Sequence, residues 1–114
     1  MIAIKAEHCA AAYDLLRVLP PFNKWKLPPA SEVRFRVVRT EHQAEWYMVG
    51  EKHCIDVSAK KHTHIHSLVM TVAHEMLHVH QRIKGSETKA EHNAEFHRLA
   101  KRVCLRLGFD PGQF

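Results

Sequence analysis

The sequence is poor in the features that define several common protein classes. With 4 glycines and 5 prolines it is neither collagen-like nor linker-rich. No apolar run approaches the ~20 residues that a membrane-spanning helix needs. The start, Met1-Ile2-Ala3-Ile4-Lys5-Ala6-Glu7-His8, is charged where a secretory leader would be apolar, so a cytoplasmic location is expected. The three cysteines, Cys9, Cys54 and Cys104, lie far apart with no Cys-x-x-Cys pair. That excludes a thiolate zinc ribbon and a thioredoxin-like motif. Thiols in an unexported chain fit a reducing compartment, where they are expected to act as small buried hydrophobes.

What is present is ordinary globular composition: 114 residues, 46% hydrophobic and 25% charged, enough for one core in a single domain spanning 1–114. The net charge of +5 fits a weak nucleic-acid association through a basic surface. The basic residues are nevertheless dispersed, from Arg34, Arg36 and Arg39 through Lys60-Lys61 to Lys101-Arg102 and Arg106. Neither an aromatic-interleaved RNA motif nor a helix-turn-helix pattern accompanies them, and solvated faces are the simpler reading. The outlier is histidine, 11 of 114 residues.

Along the chain, Cys9, Ala12, Tyr13, Leu16 and Leu19 recur at helical spacing over Ala6 to Leu19, and Pro20-Pro21 ends that helix. Pro21 to Ser31 reads as an extended connection. Val33 to Val37 alternates as a half-buried strand does; Trp46 to Val49 and His53 to Val57 are two more, joined through Gly50-Glu51-Lys52. A long helix from Ile65 to Ile83 puts Ile65, Leu68, Val69, Val72, Met76, Val79 and Ile83 on one stripe, with Gly85 as its stop. Thr88-Lys89-Ala90-Glu91 has the form of a capping box that opens a last helix to about Leu107, closed by Gly108 and Pro111. The order predicts an α+β domain.

The chemical signal is His74-Glu75-Met76-Leu77-His78, an H-E-x-x-H pattern inside the long helix. At ~100° per residue the two histidines fall about 40° apart, one turn above each other. Two imidazole nitrogens so placed reach one Zn²⁺ at ~2.0–2.1 Å. Glu75, about 100° around the helix, can take a proton from zinc-bound water without ligating the metal. A zinc catalytic site needs a third protein ligand, and His80, Glu91, His92, Glu95 and His97 follow the motif. His80 points about 200° away from His78. In the last helix Phe96, Leu99, Val103 and Leu107 form the apolar stripe. His92 falls within about 40° of Phe96 on it, whereas His97 lies about 140° from His92. His92 is therefore the expected third ligand, at the first turn of the helix and facing inward. Glu91 is explained by the capping box. His62-Thr63-His64-Ile65-His66 straddles a connector and a helix start, where solvated or capping roles are expected.

These two blocks, His74 to His78 and His92-Asn93-Ala94-Glu95-Phe96 followed by Leu99-Ala100, resemble the SprT-like zinc metallopeptidase family, whose second block reads H-G-x-E-F or close to it. Ile55-Asp56-Val57-Ser58 is similar to the strand that precedes the motif helix in that family. The similarity covers about Val33 to Phe109, and the small form ending near Gly108-Phe109-Asp110-Pro111 is most similar to phage- and prophage-encoded members. The resemblance implies a zincin-like minimal domain with an N-terminal helix, a three-stranded, mostly antiparallel sheet, the H-E-x-x-H helix and a C-terminal helix. It implies His74, His78 and His92 as zinc ligands, Glu75 as general base, and a sheet edge that holds an extended peptide or protein substrate by strand addition. It also implies a bacterial or phage-infected cytoplasm and, by analogy with members that cut DNA-bound proteins, a use for the positive charge. Two departures stand out: Asn93 replaces the usual glycine, and the sequence lacks the cysteine-rich ribbon of many members. No oxyanion-stabilising side chain is identified; Tyr47, His80 and His97 are the candidates. Two alternatives stand beside this reading. One is an ImmA/IrrE-type regulatory zinc peptidase with Glu91 as third ligand, suggested by Glu91 and Ala94. The other is a non-catalytic, zinc-stabilised module that binds DNA or protein.

Overall fold

The first helix, α1 (Ala6–Arg17), forms where the apolar period requires it, and Cys9, Ala12, Tyr13 and Leu16 are its buried residues. The computed structural model describes residues 3–61 and 64–114; His62 and Thr63, part of the histidine cluster before the long helix, lie outside the described residues. After α1 the chain is not a plain extended connection. It makes two 3₁₀ turns, Phe22–Lys24 and Ala30–Glu32, and buries Phe22 and Leu27. Two polar contacts dock this segment onto α1: the Tyr13 hydroxyl donates to the Pro28 carbonyl (2.7 Å) and the Ala30 N–H donates to Asp14 Oδ1 (3.0 Å).

Strands β1 (Val33–Val38), β2 (Ala44–Val49) and β3 (Lys52–Ser58) follow. Gly50, at φ 60, supplies the left-handed backbone that the tight β2–β3 turn needs. The sheet order is β1-β3-β2, with β3 central. β2 pairs antiparallel to β3 but β1 pairs parallel to it. The sheet is therefore evenly mixed rather than mostly antiparallel. The link between β1 and β2 explains this, because it passes over the end of β3: Ser58 N–H donates to Gln43 O (2.9 Å) and Ala59 N–H to Val38 O (2.8 Å). The β2–β3 hairpin thus slots β3 beside β1 and leaves β2 at the far edge. Ile55 and Val57 of β3 are fully buried, while Asp56 points to the opposite face of the sheet. There it accepts two hydrogen bonds from Arg36 (3.1 and 2.7 Å) and one from the Tyr47 hydroxyl (3.1 Å).

Helix α2 (Ile65–Lys84) runs through the middle of the molecule. Val72, Ala73, Met76, Leu77 and Val79 have no solvent exposure, so its central turns are enclosed on more than one side. Ile65 and Ile83, expected on the core stripe, are exposed. A helix of this length spans about 30 Å and overhangs the elements it packs on. Gly85 ends it in the left-handed conformation (φ 78).

Helix α3 (Ala94–Leu107) begins later than the Thr88 capping box predicts. Asn93 is the cap instead, its Oδ1 accepting the Phe96 N–H at 2.9 Å, while Thr88 Oγ1 turns to the carbonyl of Ala90. Phe96, Leu99, Val103 and Cys104 are the buried face. All three cysteines are buried and free, as expected. Among the described residues no helix is long and apolar enough to cross a membrane.

Candidate metal centre

The α-helical spacing brings His74 and His78 together on one face of α2, with ring centroids 5.6 Å apart. His92 joins them from the bend directly before the α3 cap, not from the first helical turn. His92 is exposed, and it is the loop and the cap, not helical phase, that turn its ring to the other two. One ring nitrogen from each of the three histidines lies within 4.8 Å of the others, and His74 Nε2 and His92 Nε2 are 3.2 Å apart. Ligand atoms on a tetrahedral zinc are about 3.3 Å from one another, given Zn–N bonds of ~2.0–2.1 Å. The His74–His92 spacing matches such an ion, and His78 lies close enough to complete the set.

Tautomer and environment also suit ligation. His74 Nδ1 is 2.8 Å from the Phe114 carbonyl oxygen. A carbonyl only accepts, so Nδ1 carries the proton and Nε2 presents its lone pair towards His92. The His92 ring stacks on Phe96 (centroids 4.3 Å, 20° between planes) and the His78 ring on Trp46 (5.8 Å, 15°). Trp46 is itself fixed by donating to His53 Nδ1 at 3.1 Å. Burial is the main cause that lowers the pKa of His74 and of His78, the latter to about 4, with the neighbouring imidazoles adding to it. These two rings are neutral at pH 7, the form that binds metal.

Glu75 is only 4% exposed and lines the same cavity of about 160 Å³ as His74 and His92. Its Oε2 is buried and has no hydrogen-bond partner among the described residues. Burial first, then the charges of Glu91 and Glu45, push its carboxyl up to about 8. A buried carboxylate oxygen without a partner costs free energy and marks a position where a ligand or water belongs. The orphaned carboxyl shares its cavity with two of the three imidazoles, and together they are the donor set a hydrolytic zinc site uses.

The other candidates fall elsewhere. His80 stacks on Trp25 (4.2 Å, 19°), away from the cluster. His97 is exposed, its ring 6.3 Å from that of His92. Glu91 is exposed, its Oε1 3.9 Å from His92 Nε2, and is not among the three converging groups. The Tyr47 hydroxyl is engaged by Asp56 and Arg34 on the outer sheet face. Sequence reasoning missed Phe114, Trp46 and Gln81. Of these only Gln81 had a visible signal: it is a polar residue seven positions after His74, on the ligand face of a helix.

Three depressions meet at the histidine cluster. Beyond the Glu75 cavity, one of about 270 Å³ is bordered by Glu45, Trp46, His78 and Glu91. A more apolar one of about 400 Å³ is bordered by Phe96, Ala100, Cys104 and Pro111 together with His74 and His92. β2, which among the described residues pairs only with β3, contributes Ala44 to the first and Glu45 and Trp46 to the second.

In the comparison with known families, the sequence model of the SprT-like family aligns with residues 14–111. No curated protein and no solved structure matches the chain.

Proposed function

Since the chain belongs to the SprT-like family, we propose that it is a zinc-dependent endopeptidase in which His74, His78 and His92 hold the metal and Glu75 is the general base. The observation that carries this reading is the convergence of three imidazole nitrogens beside a buried, partnerless carboxylate oxygen. When bound, zinc polarises a carbonyl and lowers the pKa of water to about 7. A bound cation's charge would oppose the burial that keeps the Glu75 carboxyl protonated; ionised, Glu75 removes the proton of the attacking water and returns it to the leaving amine, for which one carboxylate suffices. The ring stacks of His78 on Trp46 and of His92 on Phe96 fix the orientation of both imidazoles.

The substrate is an extended peptide. The outer edge of β2 runs past two of the three depressions, and a strand added there would carry its side chains alternately into and away from them. The apolar depression along α3 would take an apolar side chain beside the scissile bond. The net charge of +5 favours substrates that sit on DNA, whose field draws a basic enzyme to them. The Glu91-ligand alternative is weakened because Glu91 is not among the three converging groups. A purely structural zinc site would leave the buried Glu75 without a use.

The test is zinc analysis of the purified protein paired with hydrolysis of fluorescently labelled casein and of a DNA-bound protein. Stoichiometric zinc with cleavage that chelator abolishes is expected. Zinc without cleavage of any substrate, together with steeply salt-dependent DNA binding, would favour the non-catalytic module instead.

A further inference from the structure

The third histidine of the cluster is the one with the least local support. His74 and His78 sit on a buried helix, whereas His92 precedes the α3 cap and no helical ladder holds it. Gln81 occupies the same face of α2 one turn beyond His78, the three positions falling within about 60° at ~100° per residue. It is 2% exposed. Its Nε2 gives one hydrogen to Asn93 Oδ1 (3.0 Å) and the other to Glu95 Oε1 (3.0 Å), which spends both amide donors. Asn93, adjacent to His92, also accepts the Phe96 N–H (2.9 Å) and donates to the Ser86 carbonyl (3.1 Å). Glu95 is held in addition by Lys84 Nζ (2.7 Å) and by the Ser86 hydroxyl.

We propose that Gln81 and Asn93 form a latch that positions His92 for metal binding, tying the loop residue next to the third ligand directly to the helix that carries the other two. The proposal rests on the zinc-site reading above and assigns the pair a positioning role, not a catalytic one. Distances favour it. A few tenths of an ångström decide whether three nitrogens suit one zinc, and the latch fixes the backbone one residue from the ring. Groups that hold the ligands of a metal in place without touching the metal act in this way.

The experiment measures Zn²⁺ affinity of the full chain by competition with a chromophoric chelator, and the visible spectrum of the Co²⁺-loaded protein, in four forms: wild type, Gln81→Met, Asn93→Gly and the double variant. Met keeps the length and packing of Gln81 but donates nothing; Gly remains an acceptable helix cap. Gln81→Met leaves Asn93 and Glu95 with other partners, and Asn93→Gly leaves Gln81 its bond to Glu95, so the chelated proteins should still unfold cooperatively. Should Gln81→Met fail to fold, Asn93→Gly at its half-buried site decides alone. Each single variant should lose ~10–100-fold in zinc affinity and shift the Co²⁺ spectrum. The double variant should lose little more than either, because both cut the same link. A single variant within about threefold of wild type, with an unchanged Co²⁺ spectrum, overturns the latch, as do losses that simply multiply in the double variant. A wild-type protein that takes up no zinc overturns the metal centre itself and the latch with it.

Discussion

Replacing Glu75 by Gln should separate three quantities that the wild-type side chain couples. Zinc content should stay stoichiometric, because the converging ligands are imidazoles. Turnover should fall ~10²–10⁴-fold, the contribution of a positioned general base. Stability of the chelated protein should change with a definite sign. Burial raises the Glu75 carboxyl from 4.5 to about 8, so the folded state keeps a proton that the unfolded state releases. Stability from that proton is complete below pH 4.5 and is lost as pH rises through about 8. At 1.36 kcal/mol per pKa unit the ceiling is about 5 kcal/mol, and water entry and side-chain relaxation reduce it to about 2 kcal/mol. Gln has no such titration, though its buried amide adds a pH-independent cost of ~1–3 kcal/mol. The difference in unfolding free energy, Glu75→Gln variant minus wild type, should therefore rise between pH 4.5 and 8 and be flat above. Urea denaturation in EDTA at pH 5, 7 and 9, with zinc analysis and casein hydrolysis on the same preparations, measures all three. A difference that does not change with pH would refute the burial argument. Undiminished hydrolysis would remove Glu75 from the mechanism.

Three further outcomes are expected. His92→Ala should lose zinc in equilibrium dialysis whereas His97→Ala should retain it; the reverse would overturn the assignment of the third ligand. Glu91→Gln should also keep its zinc, and metal loss in that variant would revive the glutamate-ligand alternative. At sub-saturating zinc, occupancy should fall from pH 7 to 4.5 as protons compete for the imidazoles. The fall should come later than the ordinary histidine value of 6.5 suggests, since burial holds His74 and His78 below it; occupancy flat across that range would count against a histidine site.

Much of this was legible in the sequence because it depends on period alone. The spacing of Cys9, Ala12, Tyr13 and Leu16 places α1, and the i, i+4 pair His74 and His78 needs only a helix to become neighbours. The parts that were not legible depend on contacts between distant segments. No local rule says that the 39–43 link crosses the end of β3, which makes β1 a parallel partner. The Thr88 capping box was a good local pattern that lost to a better-supported cap. Asn93 caps α3 and at the same time meets Gln81 and Ser86, and a four-residue motif carries no information about either. His92 reached the cluster although the helical phase used to choose it did not apply. What survived is the weaker premise that Phe96 packs inward, since the His92 ring stacks directly on it. Two signs of the latch were visible in the sequence: Asn in place of glycine at position 93, and a polar Gln81 on the ligand face of α2.

The placement of α2 explains why ligands and core can share one helix. Val72, Met76 and Val79 seal one side of it and Ala73 and Leu77 another, all without solvent exposure. Rotating the helix to relieve strain at the histidines would expose those residues, at roughly 25 cal/mol per Å² of apolar surface. His74 and His78 are therefore fixed to each other by packing that has nothing to do with metal. The adjustable parts of the centre are the ones that close over it, the segment 85–93 from one side and β2 from the other. Variation in metal affinity should accordingly arise through the Gln81–Asn93 connection, and variation in peptide preference through Ala44, Glu45 and Trp46. Core substitutions in α2, by contrast, should lower stability and leave the ratio of zinc to folded protein unchanged.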